Sequence, residues 1–409
     1  MKWRYVGWAS AAVVMLGLAG FGIWIASLPA AAATSPAPAI PAHETAAMLS
    51  ALAPPKRPRP LIAVVGLNDA TETTDYLMPT GILRRADVAD VITLAPAPGP
   101  VTLYPALTVL PDATLADFDA RHPGGADYVI VPAMSRDDDP RVVGWLRAQA
   151  SRGATVVSVC AGAKVAAAAG LLDGRRATTH WYYLPQLLGR HPTIRYVPDR
   201  RLVVDGRVAT TTGITASMPM MLTLVEAIGG RAKAEAVAAD LGLETWDARH
   251  ASGAFALTRR FALTVLANRL AFWNREEFGL ELRPGADEVS LALVADAWSR
   301  TYRSRALTVA SGEDPVTTRH GILVVPDRVS AGWRGAERLP LERGRPVEAL
   351  RRALEDIGSR YGGRTAGVVA MQLEYPEPIS PRALTASILR APCRLRPSCC
   401  DRAPRLPSC

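Results

Sequence analysis

The chain has 409 residues, enough for two or three domains, and 49% of them are hydrophobic, which excludes a disordered protein. Its net charge of +9 comes from basic residues that are almost all Arg and lie scattered along the sequence, which argues against nucleic-acid binding. Only Cys160 precedes residue 393, so a fold stapled by disulfides is excluded. The sequence contains neither a phosphate loop nor a dinucleotide-binding glycine pattern, and no His or Cys pair has metal-ligand spacing, so we expect no cofactor and no metal.

An uncharged apolar run covers residues 6–28, which is long enough to span ~30 Å of hydrocarbon as a helix. Lys2 and Arg4 precede this run and no basic residue follows it until Lys56, so the positive-inside rule places the body outside the cytoplasm. We therefore predict a signal-anchor over residues 1–28, with the protein held in the inner membrane through residues 6–28 and folded on the periplasmic side. Small residues after the run leave open a cleaved signal peptide and secretion.

Residues 29–60 are rich in Pro and Ala and predict an extended tether. Apolar strands then alternate with helices through a first domain over residues 61–245. We predict strands at 61–66, 88–95, 127–132 and 155–160, and helices at 75–86, 141–152, 163–169 and 222–228. This alternation predicts an α/β fold, a doubly wound parallel sheet with helices on both faces.

A helical connector is expected over residues 246–282, containing one long helix at 255–278 whose aromatic side chains face a core. Beyond it, Ala306–Asp327 aligns without gaps to Val91–Asp112, and eight positions are identical. We interpret residues 283–378 as a degenerate second α/β lobe.

Its fourth strand, expected at 366–371, carries no Cys, so this lobe would be structural or would serve dimerisation, in a homodimer or an internal pseudo-dimer. The basic, Cys-rich stretch 379–409 predicts a disordered tail.

The sharpest local feature is the run Val159-Cys160-Ala161-Gly162-Ala163. A buried strand ends at Cys160, small residues form a turn, and a helix begins at once. This strand-to-helix elbow presents a nucleophile at the carboxyl edge of a parallel sheet, where the helix N-terminus favours thiolate. The alternative is a Cys that serves only as a small buried hydrophobe.

The stretches 154–163 and 169–181 resemble the ThiJ/PfpI superfamily of class I glutamine amidotransferase-like proteins, above all the amidase-like domain of AraC-type regulators and isonitrile hydratases. The segment 213–217 and the helix after it are similar to the closing segment of that family. The resemblance covers residues 61–232. It implies a flavodoxin-like sheet and a small-molecule ligand or substrate.

The resemblance also implies roles for individual residues. Cys160 matches the nucleophile, His180 matches a His that faces it as a base, and Asp75 matches a carboxyl that reaches the thiol. The alternatives are a half-buried His with ordinary partners and a helix N-cap at Asp75. Where the family carries Pro-Gly-Gly this chain has Pro132 followed by Ala133 and Met134, which makes an oxyanion hole from their backbone amides and that of Ala161 doubtful.

Three functions follow from this pattern. The first is a thiol-dependent hydrolase, hydratase or glyoxalase-like lyase acting on a small molecule through Cys160. The alternative is a non-catalytic ligand-sensing module like the sensor domain of AraC-type regulators. The third is a redox-responsive thiol protein.

Overall fold

The structure is a computed structural model that describes residues 2–33, 35–331, 338–339, 341 and 344–375. For residues 2–13 and 70 it describes the backbone and not the side chains. The tail expected at 379–409, with the remaining four Cys, lies outside the described residues.

Eighteen strands are present among the described residues. They are β1 (Leu61–Val65), β2 (Asp69–Glu72), β3 (Asp90–Ala95), β4 (Val101–Tyr104), β5 (Thr108–Leu110), β6 (Ala113–Thr114), β7 (Tyr128–Val131), β8 (Thr155–Ser158), β9 (Arg176–Ala177), β10 (Arg195–Tyr196), β11 (Leu202–Asp205), β12 (Val208–Thr211), β13 (Glu276–Glu281), β14 (Ser304–Ala310), β15 (Val316–Thr317), β16 (Leu323–Val325), β17 (Arg328–Val329) and β18 (Arg338–Leu339).

Thirteen α-helices accompany these strands in the same part of the chain. They are α1 (Lys2–Ser27), α2 (Ala42–Ala51), α3 (Thr73–Ala86), α4 (Leu115–Arg121), α5 (Pro140–Ser151), α6 (Gly162–Ala168), α7 (Leu184–Arg190), α8 (Ser217–Gly229), α9 (Arg231–Leu241), α10 (Arg259–Leu270), α11 (Glu288–Ser299), α12 (Pro346–Tyr361) and α13 (Gly363–Leu373).

The main sheet has seven strands in the order β11-β12-β8-β7-β1-β3-β6, and all neighbours are parallel except β11 and β12. All residues of β1, β7 and β8 are buried, as expected for central strands covered by helices on both faces. The expected doubly wound α/β fold is therefore present over residues 61–241, which we call the first lobe. The carboxyl ends of β1, β7 and β8 meet at one edge of this sheet.

Residues 276–375, which we call the second lobe, contain a smaller parallel sheet in the order β17-β14-β13-β18, packed against α11 to α13. A third sheet, β15-β16-β5-β4-β2, contains strands of both lobes and joins them through the antiparallel pair β16 and β5. Helix α11 packs against α3 across the same boundary. The two lobes thus share one hydrophobic core.

The expected membrane anchor is contradicted. Helix α1 covers most of the apolar run 6–28. Within the described residues, no helix combines the length and the apolar character needed to cross a membrane. The single-pass inner-membrane location is therefore corrected.

The extended tether expected at 29–60 is also wrong over its second half. Helix α2 lies within it and packs on α8, and Met48 and Leu52, four residues apart, are buried against the first lobe. Glu44 pairs with Arg200 at 2.7 Å, and Arg57 pairs with the buried Asp127. Apolar residues at helical spacing therefore hold the second half of this segment against the first lobe, despite the Pro content of the segment.

Four further expectations fail around the second lobe. The long helix expected at 255–278 ends at Leu270, and β13 begins the second sheet before the boundary expected at residue 283. Phe272 and Trp273 are 64% and 75% exposed, so they do not face a core. The strand expected at 366–371 is part of helix α13.

Candidate active site

The turn after β8 has the geometry of a nucleophile elbow. Cys160 adopts φ 57°, a left-handed conformation that is strained for a residue with a Cβ. Two residues later, a Cβ on Gly162 would lie 2.0 Å from the carbonyl oxygen of Val131, so only Gly fits there. The backbone of Cys160 is fixed on both sides, because its N–H donates to Thr211 Oγ1 at 3.0 Å and its carbonyl accepts from Thr179 Oγ1 at 2.9 Å.

The first turn of α3 places Asp75 at the same edge of the sheet. Its Oδ2 accepts from the backbone N–H of Ala133, just past β7, at 3.1 Å. Among the described residues, nothing hydrogen-bonds the other oxygen, Oδ1, although it is buried. Burial and the neighbouring charge of Glu72 raise the pKa of Asp75 well above its ordinary value. The raised pKa favours the protonated carboxyl, and Oδ1 is the oxygen without a hydrogen-bond partner among the described residues. The N-cap of α3 is Glu72 and not Asp75.

The thiol of Cys160 is buried, with the residue 4% exposed. Burial raises the pKa of Cys160 well above its ordinary value, and the charges of Asp75, Glu72 and Glu374 act in the same direction. The backbone N–H of Ala161 opposes them by hydrogen-bonding the sulfur. The carboxyl of Asp75 thus lies close enough to Cys160 to raise the pKa of its thiol.

The backbone amides of Ala133, Met134 and Ala161, the candidates for an oxyanion hole, are engaged by different groups. The N–H of Ala133 is taken by Asp75, and Met134 forms an antiparallel bridge with Thr71. The N–H of Ala161 faces the sulfur of Cys160. The pair of amides that acyl transfer uses is thus not presented at residues 133–134.

His180 is buried beside the elbow, but both of its ring nitrogens bond to the backbone. Nδ1 accepts from the N–H of Tyr182 at 3.1 Å, so the proton is on Nε2, which donates to the carbonyl of Gln372 at 3.0 Å. Burial lowers the pKa of His180, and the ring is neutral. The structure brings Cys160 and Asp75 together and turns His180 toward the second lobe.

The second lobe contributes charged residues that the motifs did not predict. Arg300, after α11, donates to Glu72 Oε1 at 2.5 Å and to Asp296 Oδ2 at 2.6 Å. The other oxygen of Glu72 accepts from the N–H of Asp75 at 2.5 Å. Burial raises the pKa of Asp296 to about 7, with Arg300 opposing the rise. The only sequence signal for Arg300 is that it lies 215 residues after Arg85, the same offset as the internal repeat.

The C-terminal end of α13 covers the site. The carboxylate of Glu374 accepts from the N–H of Trp181 at 3.1 Å and lies 3.1 Å from His250 Nε2. A Cβ on Gly213 would lie 2.5 Å from Cδ of Glu374, so the closing segment of the first lobe is in direct contact with this side chain. Although burial acts against it, the contact with His250 and the positions of His180 and other donors lower the pKa of Glu374 to about 2.

This arrangement can perform addition chemistry with proton transfer. The sulfur of Cys160, the carboxyl of Asp75 and the backbone N–H of Ala161 converge at the sheet edge. In the described part of the chain, no group of three or more His, Cys, Asp or Glu side chains is arranged to hold a metal ion.

Comparison with known proteins gives the following matches. The model of the DJ-1/PfpI family matches residues 62–227. The isonitrile hydratase of Pseudomonas putida is 39% identical over 136 residues, which are 32% of this chain and 56% of that protein, so this chain spans about half the length of that relative. The HTH-type transcriptional regulator CdhR of Pseudomonas aeruginosa is 40% identical over 86 residues, 21% of this chain and 25% of the regulator.

Among solved structures, DJ-1beta of Drosophila melanogaster is 24% identical and covers 46% of this chain and 100% of its own, with a TM-score of 0.42. The family match and the elbow geometry coincide in the first lobe. Residues 62–227 form a DJ-1/PfpI domain.

Proposed function

We propose that the DJ-1/PfpI domain is a thiol-dependent enzyme that adds Cys160 to the electrophilic carbon of a small molecule, and that the favoured reaction is hydration of an isonitrile. The observation that carries this proposal is Asp75, a buried carboxyl beside a buried thiol, whose Oδ1 has no partner among the described residues and whose pKa is raised. A carboxyl kept neutral by its surroundings is suited to give a proton to a reacting atom.

Hydration fits this site better than acyl-transfer hydrolysis. Hydrolysis develops an oxyanion that needs donors beyond one amide, and the Ala133 N–H is already engaged by Asp75. Addition to an isonitrile develops negative charge on carbon, which a proton neutralises directly. The similarity to an isonitrile hydratase supports this choice of substrate class.

The reaction proceeds in two stages. In the first, the sulfur of Cys160 bonds to the terminal isonitrile carbon, Asp75 gives its proton to that carbon, and the thiol proton returns to Asp75. The product is a thioimidate in which carbon is bonded to sulfur, hydrogen and nitrogen. In the second, water adds to this carbon, nitrogen takes up a proton, and the carbon–sulfur bond breaks as the sulfur regains its proton. The net change is isonitrile plus water to an N-substituted formamide.

We assign proton transfer to Asp75 and not to His180, because both ring nitrogens of His180 are bonded to backbone groups. His180 orients Gln372 and thereby the end of α13.

The test is turnover of an alkyl isonitrile to its formamide, followed by NMR. Cys160→Ser should abolish turnover. Asp75→Asn should lower it by at least about 100-fold. Alkylation of Cys160 should not be slower in Asp75→Asn, because Asn cannot carry a negative charge that would raise the pKa of Cys160. Asp173→Asn, an exposed carboxyl of the same lobe, is the matched control. Unchanged turnover in Cys160→Ser would overturn the proposal.

A ligand-sensing module is the second candidate. It is favoured by the similarity to a transcriptional regulator and by the closed site, in which Cys160 is 4% exposed beneath the end of α13. A sensor needs the binding pocket but not the thiol. Binding would therefore raise the melting temperature equally in the wild type and in Cys160→Ala, without formamide production.

A redox-responsive role has less support than these two. Peroxide oxidation proceeds through the thiolate, and burial raises the pKa of Cys160, which disfavours the thiolate.

A further inference from the structure

The pairing of β5 with β16 is symmetric about one point. Val109 faces Val324, Leu110 faces Leu323, and Thr108 faces Val325. Val109 and Val324 are 215 residues apart, which is the offset of the internal repeat. Strands β5 and β16 are therefore equivalent strands of the two lobes, and they pair with each other. A local two-fold axis therefore passes through this pair and relates the two lobes.

The same offset relates a set of side-chain hydrogen bonds. In the first lobe, Asp112 Oδ2 accepts from the N–H and the Oγ1 of Thr93 at 2.6 and 2.7 Å, and its own N–H donates to Thr93 Oγ1 at 3.0 Å. In the second lobe, Asp327 and Thr308 repeat all three bonds at 2.8, 2.9 and 2.9 Å. The equivalence thus extends from the backbone to individual side-chain atoms.

At the boundary of the lobes, two symmetry-related ion pairs each join a residue of one lobe to a residue of the other. Glu72 caps α3 and accepts from Arg300 of the second lobe, whereas Asp287 caps α11 and accepts from Arg85 of the first lobe. Glu72 corresponds to Asp287, and Arg85 corresponds to Arg300. In each lobe, therefore, one Arg binds the N-cap carboxylate of a helix in the other lobe.

Only one of these two ion pairs, that of Glu72 with Arg300, lies near Cys160. The residue that corresponds to Asp75 is Ser290, whose N–H donates to the carboxylate of Asp287 as the N–H of Asp75 donates to that of Glu72. The Glu72 pair lies beside Asp75 and Cys160, whereas the Asp287 pair lies beside neither.

We propose that the second lobe completes the Cys160 site across this pseudo-two-fold axis and that Arg300 is its positioning residue. Arg300 holds Glu72 on one carboxylate oxygen, and the other oxygen holds the N–H of Asp75 at 2.5 Å and Thr74 Oγ1 at 2.8 Å. The cross-lobe Arg thereby sets the position of the Asp75 carboxyl and neutralises the Glu72 charge beside the thiol.

Arg300 is itself held from two sides within the second lobe. Asp296 accepts from its Nε at 2.6 Å, and Gln372 Nε2 donates to its carbonyl oxygen at 3.1 Å. Because the carbonyl of Gln372 also accepts from His180, one residue of α13 connects Arg300 to the elbow region.

The charged and titratable groups around the thiol come from both lobes: Asp75, Glu72, His180 and Tyr183 from the first, and Arg300, Asp296 and Glu374 from the second. Loss of Arg300 leaves Glu72 as an unbalanced negative charge near Cys160. The thiolate is then disfavoured further, and its pKa rises.

The test is the pH dependence of Cys160 alkylation in the full chain, followed on the Cys160 peptide by mass spectrometry. Arg300→Gln should move the profile upward by about one pH unit or more, which is an approximately tenfold lower rate at a fixed pH below it. Arg85→Gln, the symmetry-related control, removes an equivalent cross-lobe pair and should leave the profile unchanged. Similar losses of thermal stability are expected in both variants. Arg300→Lys keeps the charge and should restore part of the profile.

The double variant Arg300→Gln with Glu72→Gln leaves no unbalanced charge, so it tests the proposal even if Arg300→Gln does not fold. Its profile should lie at or below that of the wild type. Identical profiles for Arg300→Gln and Arg85→Gln, or an upward shift that persists in the double variant, would overturn the proposal. Alkylation needs no substrate, so this result is independent of whether isonitriles are turned over.

Discussion

The elbow of the first lobe and helix α13 of the second lobe meet at the candidate site and have different roles there. Strand β8 leads into the strained Cys160, whereas helix α13 ends at its C-cap residue Glu374. One segment carries the nucleophile, and the other lies over it through contacts of Gln372 and Glu374 with His180 and Trp181. The difference shows how a duplicated lobe that lacks a nucleophile can still shape the site of its partner.

The largest effect that distinguishes these segments is expected for Gly162→Ala and Gly367→Ala. A Cβ at residue 162 would overlap the carbonyl of Val131 at 2.0 Å, whereas a Cβ at 367, within α13, meets nothing within 4 Å. We expect Gly162→Ala to destabilise the protein by about 3 kcal/mol or more. Gly367→Ala should stabilise it by about 0.5–1 kcal/mol. Urea unfolding of both variants measures this, and equal effects would contradict the elbow packing.

Glu374→Gln should have the next largest effect. The pKa of Glu374 is lowered to about 2, so its contribution to stability is present above the unfolded value near 4.5 and is lost as pH falls toward 2. The variant should lose roughly 3 kcal/mol at neutral pH. It should also alkylate Cys160 faster, because the end of α13 is released. Chemical unfolding between neutral and acidic pH checks the first expectation, and a pH-independent loss would refute it.

Asp75→Asn should stabilise the protein although it lowers turnover. The pKa of Asp75 is raised, so its favourable contribution exists below the unfolded value and is lost as pH rises through the folded value. Asn does not ionise and avoids that loss. We expect a melting temperature higher by at least about 2 °C at neutral pH, with the gain shrinking as the solution is acidified. A destabilised variant would show that Asp75 is ionised in the folded protein.

Thr93→Val and Thr308→Val should have the smallest effects, and these should be equal. Each substitution removes the same side-chain hydrogen bonds to a corresponding Asp, so each should cost about 1–2 kcal/mol. Thermal unfolding followed by circular dichroism compares the two. A large difference between the two losses of stability would show that these hydrogen bonds are not equivalent in the two lobes.

The sequence predicted the first lobe well where local pattern and burial agree. Continuous apolar runs marked β1, β7 and β8, and the run after Val159 marked the elbow with its Gly at residue 162. It failed at α13, where Val368 and Val369 favoured a strand. The buried positions Ala366, Val369, Ala370 and Leu373 have helical spacing and decide the conformation.

Sequence by itself determined the parallel sheet, the strained Cys160 and the repeat, because each depends on the spacing of small and apolar residues along the chain. Only the tertiary structure decided which charges surround the thiol. Glu72 and Arg300 are 228 residues apart, and Trp181 and Glu374 are 193 apart. Electrostatic interactions depend on distance in space and on burial, so the charge state of Cys160 follows from the packing of two lobes and not from its own motif.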